Sequence, residues 1–465
     1  MIIIIIQKGG WENVKGSVTE TSRNDRYLAS QAARESNARS YPRRIPIVIQ
    51  EAEGIYVKDM DGRAYYDCLA GAGTLALGHN HPVVVEAVRS MLDERRPMHT
   101  LDLTTPIKER FVDELFASLP REFAKDARIQ FCGPTGGDAV EAAIKLVKTA
   151  TGRRSVLSFH GGYHGSTHAA MSLSGTLGQK AQVHGLIPDV HFLPYPYAYR
   201  CPFGVGGEDT HRIASRYVEN LLDDPESGIV APCGMIFEAV QGEGGSIPAP
   251  AEWIREMRRL TRERDIPLLI DEVQTGFGRT GKMFAFEHAG VIPDVLILSK
   301  AIGGSLPLSV VVYHRRLDTW KPGAHIGTFR GNQLAMAAGL ATLRYIKEND
   351  LPGHAERMGA RLRARLEELR REVPQIGDVR GLGLMIGAEI VDPRREPDCL
   401  GHSPAHPELA RRIQRECLNR GVILEVGGRH SAVMRFLPPL IATESDIDEI
   451  GRIFCEAARA ACAEE

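Results

Sequence analysis

Long apolar runs are scarce in this chain of 465 residues. The run Ile2–Ile6 opens it, but five isoleucines fall far short of the roughly 20 apolar residues a bilayer span requires. No basic segment or small-residue cleavage site accompanies them, which excludes a secretion signal; a short strand or an unstructured tail is expected there. No later run is long enough to span a bilayer either. Paired CxxC cysteines are also missing. The eight cysteines, Cys68, Cys132, Cys201, Cys233, Cys399, Cys417, Cys455 and Cys462, are scattered. That excludes a disulfide framework and fits free thiols in a reducing cytoplasm. Charge of one sign is lacking as well: a net charge of −2 offers no basic field for nucleic acid or an anionic membrane. There is no internal repeat and no low-complexity linker. What remains is a globular composition, 43% apolar and 25% charged, on a chain long enough for several domains and a deep pocket.

The pattern changes along the chain. Residues 1–40 are polar and mixed, an arm followed by a short helix. Ile47–Ile49, Ile55–Val57 and Ala64–Tyr66 read as a small antiparallel sheet, with Asp61-Gly62 as the hairpin turn. Beyond His81-Pro82, short apolar runs alternate with helical patterns. The runs include Ser155–Phe159, Met235–Ala239, Pro267–Ile270, Val295–Leu298 and Ser309–Tyr313; the helices include Ala139–Thr149, Trp253–Arg264 and Gln333–Lys347. Such alternation predicts an α/β domain on a largely parallel sheet. From about Pro352 a separate α+β unit follows, with helices over Ala355–Glu372 and Glu408–Arg420 and strands over Leu384–Ile390 and Val433–Phe436. The expected segments are 1–80, 81–345 and 346–465. Cys201–Gly207 reads as a surface loop.

Four pieces carry chemistry, each with a plainer alternative when taken alone. Cys132–Asp138 is a Gly-rich stretch opening a helix, where backbone N–H groups and the helix dipole can seat a phosphate; a turn capped by Asp138 is the simpler reading. Phe159–Gly165 ends an apolar strand and exposes Tyr163, which could stack on a planar ring or simply fill a tight turn. Leu268–Gly276 brings Asp271 and Glu272 to a strand end, where a buried carboxylate needs a partner such as a pyridinium N–H, unless it caps a helix. Asp294–Gly304 places Lys300 at another strand end before a Gly-rich turn. A partly dry lysine suits Schiff-base chemistry; a snorkelling lysine is the alternative.

Together, in this order, these pieces resemble the class III aminotransferases of pyridoxal-5′-phosphate (PLP) fold type I, over roughly residues 40–460. DEVQTGFGRTG at 271–281 and SKAIGGSLPLS at 299–309 carry the resemblance most strongly. QGEGG at 241–245, GTFRGNQLA at 327–335 and MRFLPPL at 434–440 extend it. The resemblance implies a large domain with a mainly parallel seven-stranded sheet between helices, and a smaller α+β domain built from both chain ends. It implies PLP on Lys300, Asp271 pairing with the pyridine nitrogen, Val273 under the ring and Tyr163 over it. Gln274 would reach the ring hydroxyl, and Gly136 and Gly137 the phosphate. Thr328 would reach the phosphate of the neighbouring subunit, implying a homodimer with shared active sites. Arg435 is expected to clamp the α-carboxylate of 2-oxoglutarate, with Glu243 as the gate that pairs with it when an amine donor is bound.

Three positions depart from the common pattern. Glu238-Ala239 precedes QGEGG where Glu-Pro is usual, and the phosphate loop reads Thr-Gly-Gly-Asp rather than Ser-Gly-x-Glu. Ser166 stands where GABA and ornithine aminotransferases usually carry arginine. Asn37–Arg44, Tyr199–Gly204 and Gln241–Pro250 are most similar to the group that moves the C4 amine of L-2,4-diaminobutyrate to 2-oxoglutarate, releasing aspartate 4-semialdehyde and glutamate. The alternatives are another ω-aminotransferase, with GABA, ornithine or a polyamine as donor, and a non-catalytic PLP-binding protein.

Overall fold

The structure is a computed structural model that describes residues 22–463. The Ile-rich start lies outside the described residues. Seven strands form the central sheet in the order 127–131, 310–314, 295–298, 268–271, 232–237, 155–159 and 190–193. Val310–His314 is antiparallel to both neighbours; the pairs further along the sheet are parallel. Ser155–Phe159, Pro232–Phe237, Leu268–Asp271 and Val295–Leu298 are buried at every residue. Helices cover both faces of such a sheet, which is why these strands read as continuous apolar runs rather than alternating ones. The helix Gly136–Thr151 packs on strands 232–237, 295–298 and 310–314. Below the sheet, Trp253 from the helix Ala251–Glu263 meets Phe159 and Phe237 edge-on at centroid distances of 5.0 and 5.1 Å. Such pairs add to stability beyond the area they bury.

Strands Ile49–Glu53, Tyr56–Asp59 and Ala64–Asp67 form the antiparallel sheet expected near the start. The first begins two residues later than Ile47, because the Val48 N–H is taken by the Asn24 side chain at 2.9 Å. Asn24 belongs to the helix Arg23–Arg34 and also donates to Asp59 and Asp61, fastening that helix to the hairpin turn. A fourth strand, Val422–Ile423, joins this sheet from far along the chain, parallel to Tyr66-Asp67. The remaining C-terminal strands, Ile376–Leu382, Met385–Ile390, Val433–Phe436 and Glu425–Gly427, make an antiparallel sheet. Helices Leu351–Glu372, Pro407–Asn419 and Glu444–Ala463 complete this part of the chain. The first starts earlier than Ala355 because Asp350 caps it, accepting from Gly353 N–H at 3.3 Å, with Pro352 in the opening turn. Cys68, Cys132, Cys201, Cys233, Cys399, Cys417 and Cys455 are free thiols, and no helix among the described residues is long and apolar enough to cross a membrane.

Glu272 follows the strand 268–271 and is fully buried. Its carboxyl accepts from the Thr275 hydroxyl and from Phe286 N–H, yet burial dominates and pushes its pKa from 4.5 up to about 7. Between those values the folded chain holds a proton that the unfolded chain has released, so stability falls as pH rises through that window. Glu272→Gln carries no such proton. Relative to the parent it should gain up to about 3 kcal/mol as pH rises from about 4.5 to 7, then level off. Urea unfolding of both proteins at about pH 5 to 8 measures this; a pH-independent difference would contradict it.

Candidate active site

Two neighbouring strands deliver the first pair of functional side chains. Asp271 is the last residue of the strand 268–271, in register with Ile297 of the parallel strand 295–298, which Lys300 follows. Both therefore stand at the C-terminal edge of the sheet, where open α/β folds bind ligands. Lys300 has φ of +53°, a left-handed conformation that is costly for a side chain with a Cβ and is tolerated where the surroundings enforce it. Its Nζ has no hydrogen-bond or ion-pair partner among the described residues. Burial lowers its pKa below that of an ordinary lysine, and Arg435 adds to this; Glu243, Asp271 and Glu238 only partly oppose it. A lysine that gives up its proton readily can act as nucleophile and base.

Asp271 is held from two sides. Its Oδ1 accepts from Val273 N–H at 3.0 Å, and its Oδ2 lies 2.8 Å from His164 Nδ1. The carboxylate accepts, so His164 carries its proton on Nδ1; its other ring nitrogen is buried without a partner among the described residues. Glu238 accepts from the N–H groups of Tyr163 and Gly242, both at 2.9 Å, and fixes the turn that presents Tyr163. Burial raises the pKa of Glu238 to about 7. The Tyr163 hydroxyl is bonded to Ser166 at 3.1 Å. His164 and Glu238 were not among the expected site residues. Each lay within a stretch already singled out, and the signal was a polar side chain set among small ones just after a buried strand.

The Gly-rich stretch opens a helix earlier than expected. The helix begins at Gly136 rather than Ala139, and Thr135 is its cap. Thr135 Oγ1 accepts from Asp138 N–H at 3.3 Å, and the Asp138 carboxylate accepts from Thr135 N–H at 2.9 Å. Asp138 thus closes a capping box from the third position instead of capping the helix itself. The first-turn N–H groups of Gly136 and Gly137 have no acceptor within the helix and are available to an anion. Val273 crowds this turn: a Cβ on Gly136 would come within 2.9 Å of Val273 Cγ1. Glycine there and valine opposite bring the cradle close to Asp271.

Arg435 is completely buried. Its Nη1 donates to Glu243 and to Glu425, both at 2.9 Å, and its Nη2 donates to Gln274 Oε1 at 2.7 Å. The structure thus unites Arg435 and Glu243 as expected, and adds Glu425, which sequence reasoning missed. Glu425 precedes Arg435 by ten residues across an irregular connection, so their pairing is visible only once the strand register is known. Burial pushes the Glu243 carboxyl upward, but Arg435 and Lys300 outweigh it and hold it below the usual range. Gln274 was expected at a ring hydroxyl; here its amide spans Arg435 and the Ala72 carbonyl, the latter at 3.2 Å. Close approach explains Gly242 beside it, since a Cβ there would lie 2.1 Å from Gln274 Oε1. Thr328 lies apart from these groups, exposed on a short 3-10 turn at Thr328–Gly331.

The sequence profile of the family described as Aminotransferase class-III matches residues 37–458. The chain belongs to the class III aminotransferases. The diaminobutyrate–2-oxoglutarate aminotransferase of Rhizobium meliloti is 59% identical to this class III chain over 91% of its length and 90% of that protein's. A protein of the same name from Haemophilus influenzae is 48% identical, covering 93% of this chain and 94% of its own. Among solved structures, the ornithine aminotransferase of Toxoplasma gondii aligns over 96% of this chain and 97% of its own, with a TM-score of 0.79 at 26% identity. A PLP-bound amine transaminase from an uncultivated Pseudomonas species aligns over 93% and 98%, with a TM-score of 0.80 at 29% identity. These neighbours share the aminotransferase fold described above.

The capping box of this aminotransferase makes a local prediction. Thr135→Ala should lower stability by about 1 kcal/mol, while Thr135→Ser should keep most of it, because only the hydroxyl serves as cap. Chemical denaturation of the three proteins would show this; equal losses for Ala and Ser would mean that the threonine methyl, not the cap, is what matters.

Proposed function

We propose that this chain is a PLP-dependent aminotransferase that moves the C4 amine of L-2,4-diaminobutyrate to 2-oxoglutarate, giving aspartate 4-semialdehyde and glutamate. The observation that carries the reading is the meeting of Lys300, Asp271 and the Gly136–Gly137 helix start with the buried Arg435–Glu243 pair. The residues present fit PLP. A helix opening with free N–H groups suits the phosphate, an aspartate held in place by His164 suits a pyridinium, and a lysine without an ion partner suits the aldehyde. Bound there, PLP supplies an electron sink for the carbon that bears the reacting amine. Lys300 holds the cofactor and moves the proton at that carbon. Asp271 keeps the ring nitrogen protonated, and His164 keeps Asp271 aimed. Val273 and Tyr163 would hold the ring between them.

Arg435 takes the α-carboxylate of 2-oxoglutarate, and Glu243 returns to it when the amine donor occupies the site. One pocket can then serve a dicarboxylate and a donor whose reacting amine lies far from its carboxylate. The names of the two relatives support diaminobutyrate as the donor, and Ser166, which bonds Tyr163, offers no cation for a distal carboxylate. The same reading includes a homodimer, with Thr328 serving the partner's phosphate. Phe329 in the turn that carries Thr328, Ile326 just before it, and Met98 and Leu103 on the segment bridged to Asn332 through His99 are each more than half exposed and give such a contact an apolar surface. The reading also includes a cytoplasmic setting, with which the thiols accord, and a division into an N-terminal arm with part of the small domain (1–80), a large PLP-binding domain (81–345) and a C-terminal small domain (346–465).

Half-reaction kinetics test the division of labour. Arg435→Ala should raise the apparent KM for 2-oxoglutarate far more than that for diaminobutyrate, since a charge-assisted pair in a closed pocket is worth about 2–5 kcal/mol. Equal losses in both halves would leave the arginine a structural role only. Lys300→Ala should abolish turnover and the visible band of lysine-bound cofactor. A heterodimer of Lys300→Ala and Thr328→Ala chains should regain one site free of both defects. A purified heterodimer as inactive as its parents would place Thr328 within its own subunit's site.

A further inference from the structure

Arg435 serves two carboxylates through one nitrogen, and the two are mounted differently. Glu425 is the register partner of Arg435 on the neighbouring antiparallel strand and is 7% exposed. Its outer oxygen accepts from the Tyr41 hydroxyl at 3.3 Å, which leaves the inner one turned to the guanidinium. Glu243 stands instead in the Gly-rich turn 242–245. Its backbone is tied to the strand region by Gly428 N–H, 3.1 Å from its carbonyl, while its side chain stays 31% exposed. One carboxylate is built into a sheet; the other can turn out to water without moving a strand.

We infer that Glu425 is the fixed counter-ion of Arg435 and Glu243 the exchangeable one, so that Glu425 keeps the guanidinium paired while Glu243 gives way to a substrate carboxylate, and its repulsion of that carboxylate is masked as long as Glu243 is present. The inference rests on Arg435 being the carboxylate clamp. If Glu243 were the sole counter-ion, its departure would leave a buried guanidinium with only the Gln274 amide, and a lone buried charge is strongly disfavoured. With Glu425 in place, exchanging Glu243 for a substrate carboxylate leaves the charge of the cluster unchanged. Glu425 repels the resident and the incoming carboxylate alike, so its influence cancels while Glu243 is present. Removing Glu243 exposes that influence.

Glutarate, a five-carbon dicarboxylate without a keto group, probes this without turnover. Its dissociation constant from the holoenzyme, measured by calorimetry at fixed ionic strength, is compared for the parent, Glu243→Ala, Glu425→Gln, the double variant and Arg435→Ala. Glu425→Gln alone should stay within about threefold of the parent, because the two effects offset. In the Glu243→Ala background the same substitution should tighten glutarate binding by about tenfold or more, because a like charge a few ångströms away is removed from a dry site. A merely structural role predicts weaker binding in both backgrounds, and that result, or an equal effect in both, overturns the proposal. If Glu425→Gln fails to retain cofactor, Glu425→Asp, which withdraws the carboxylate by one methylene, should tighten binding in the same background to a smaller degree; weakening there overturns it too. Arg435→Ala separates the layers. If it binds glutarate as tightly as the parent, the clamp reading fails and this proposal with it. If it loses binding while Glu243 and Glu425 act additively, this proposal alone fails.

Discussion

A guanidinium shut away from water organises this site. Taking such a charge out of solvent costs several kcal/mol unless acceptors surround it, and Arg435 draws them from three stretches of chain. Glu243 comes from the turn after Val240-Gln241, Gln274 from the loop after the strand 268–271, and Glu425 from the adjoining strand. Tyr41, from the arm before the first sheet, adds a fourth stretch through Glu425. All four stretches are tied together through that guanidinium and Glu425. The pocket wall is therefore assembled around one cation, and its shape follows from where that cation's acceptors must lie.

Opposite this wall the central sheet supplies a rigid base. Asp271 and Lys300 inherit their separation from strand register, and neither relies on a long loop for its place. The strain at the site lies in the backbone: Lys300 and Phe277 both have left-handed φ values, +53° and +61°. Buried carboxyls at Glu238 and Glu272 brace the turns on either side of Asp271 from within. A fixed base with an adjustable wall is what a site for two differently shaped substrates requires.

Much of this was legible in the sequence. The strand-end positions of Asp271 and Lys300 follow from apolar runs that stop at a charged residue, and Ser155–Phe159, Val295–Leu298 and Val433–Phe436 are strands as predicted. The helix start at Gly136 was misjudged by three residues because Thr135 and Asp138 can each cap, and only the geometry decides between them. The partners of His164, Glu238 and Glu425 were out of reach for a different reason. His164 and Glu238 act on residues distant in sequence and Glu425 on one across an irregular connection, and no local period or turn chemistry encodes a cross-strand partner or a buried relay. The same holds for Gln274, whose amide is engaged by Arg435 across the pocket.

The short strand Val422–Ile423 lies beside Tyr66-Asp67 and completes the N-terminal sheet. On the ribosome, its three strands at 49–67 emerge before the central sheet, yet the edge they lack is made several hundred residues later. The central sheet, whose strands all lie between residues 127 and 314, is available well before that. Synthesis from the N-terminus thus leaves the N-terminal sheet waiting on a strand made several hundred residues later, with an unpaired strand edge open in the meantime. Protection from proteases and from aggregation should therefore reach the central sheet before it reaches strands 49–67 and 422–423, which close together.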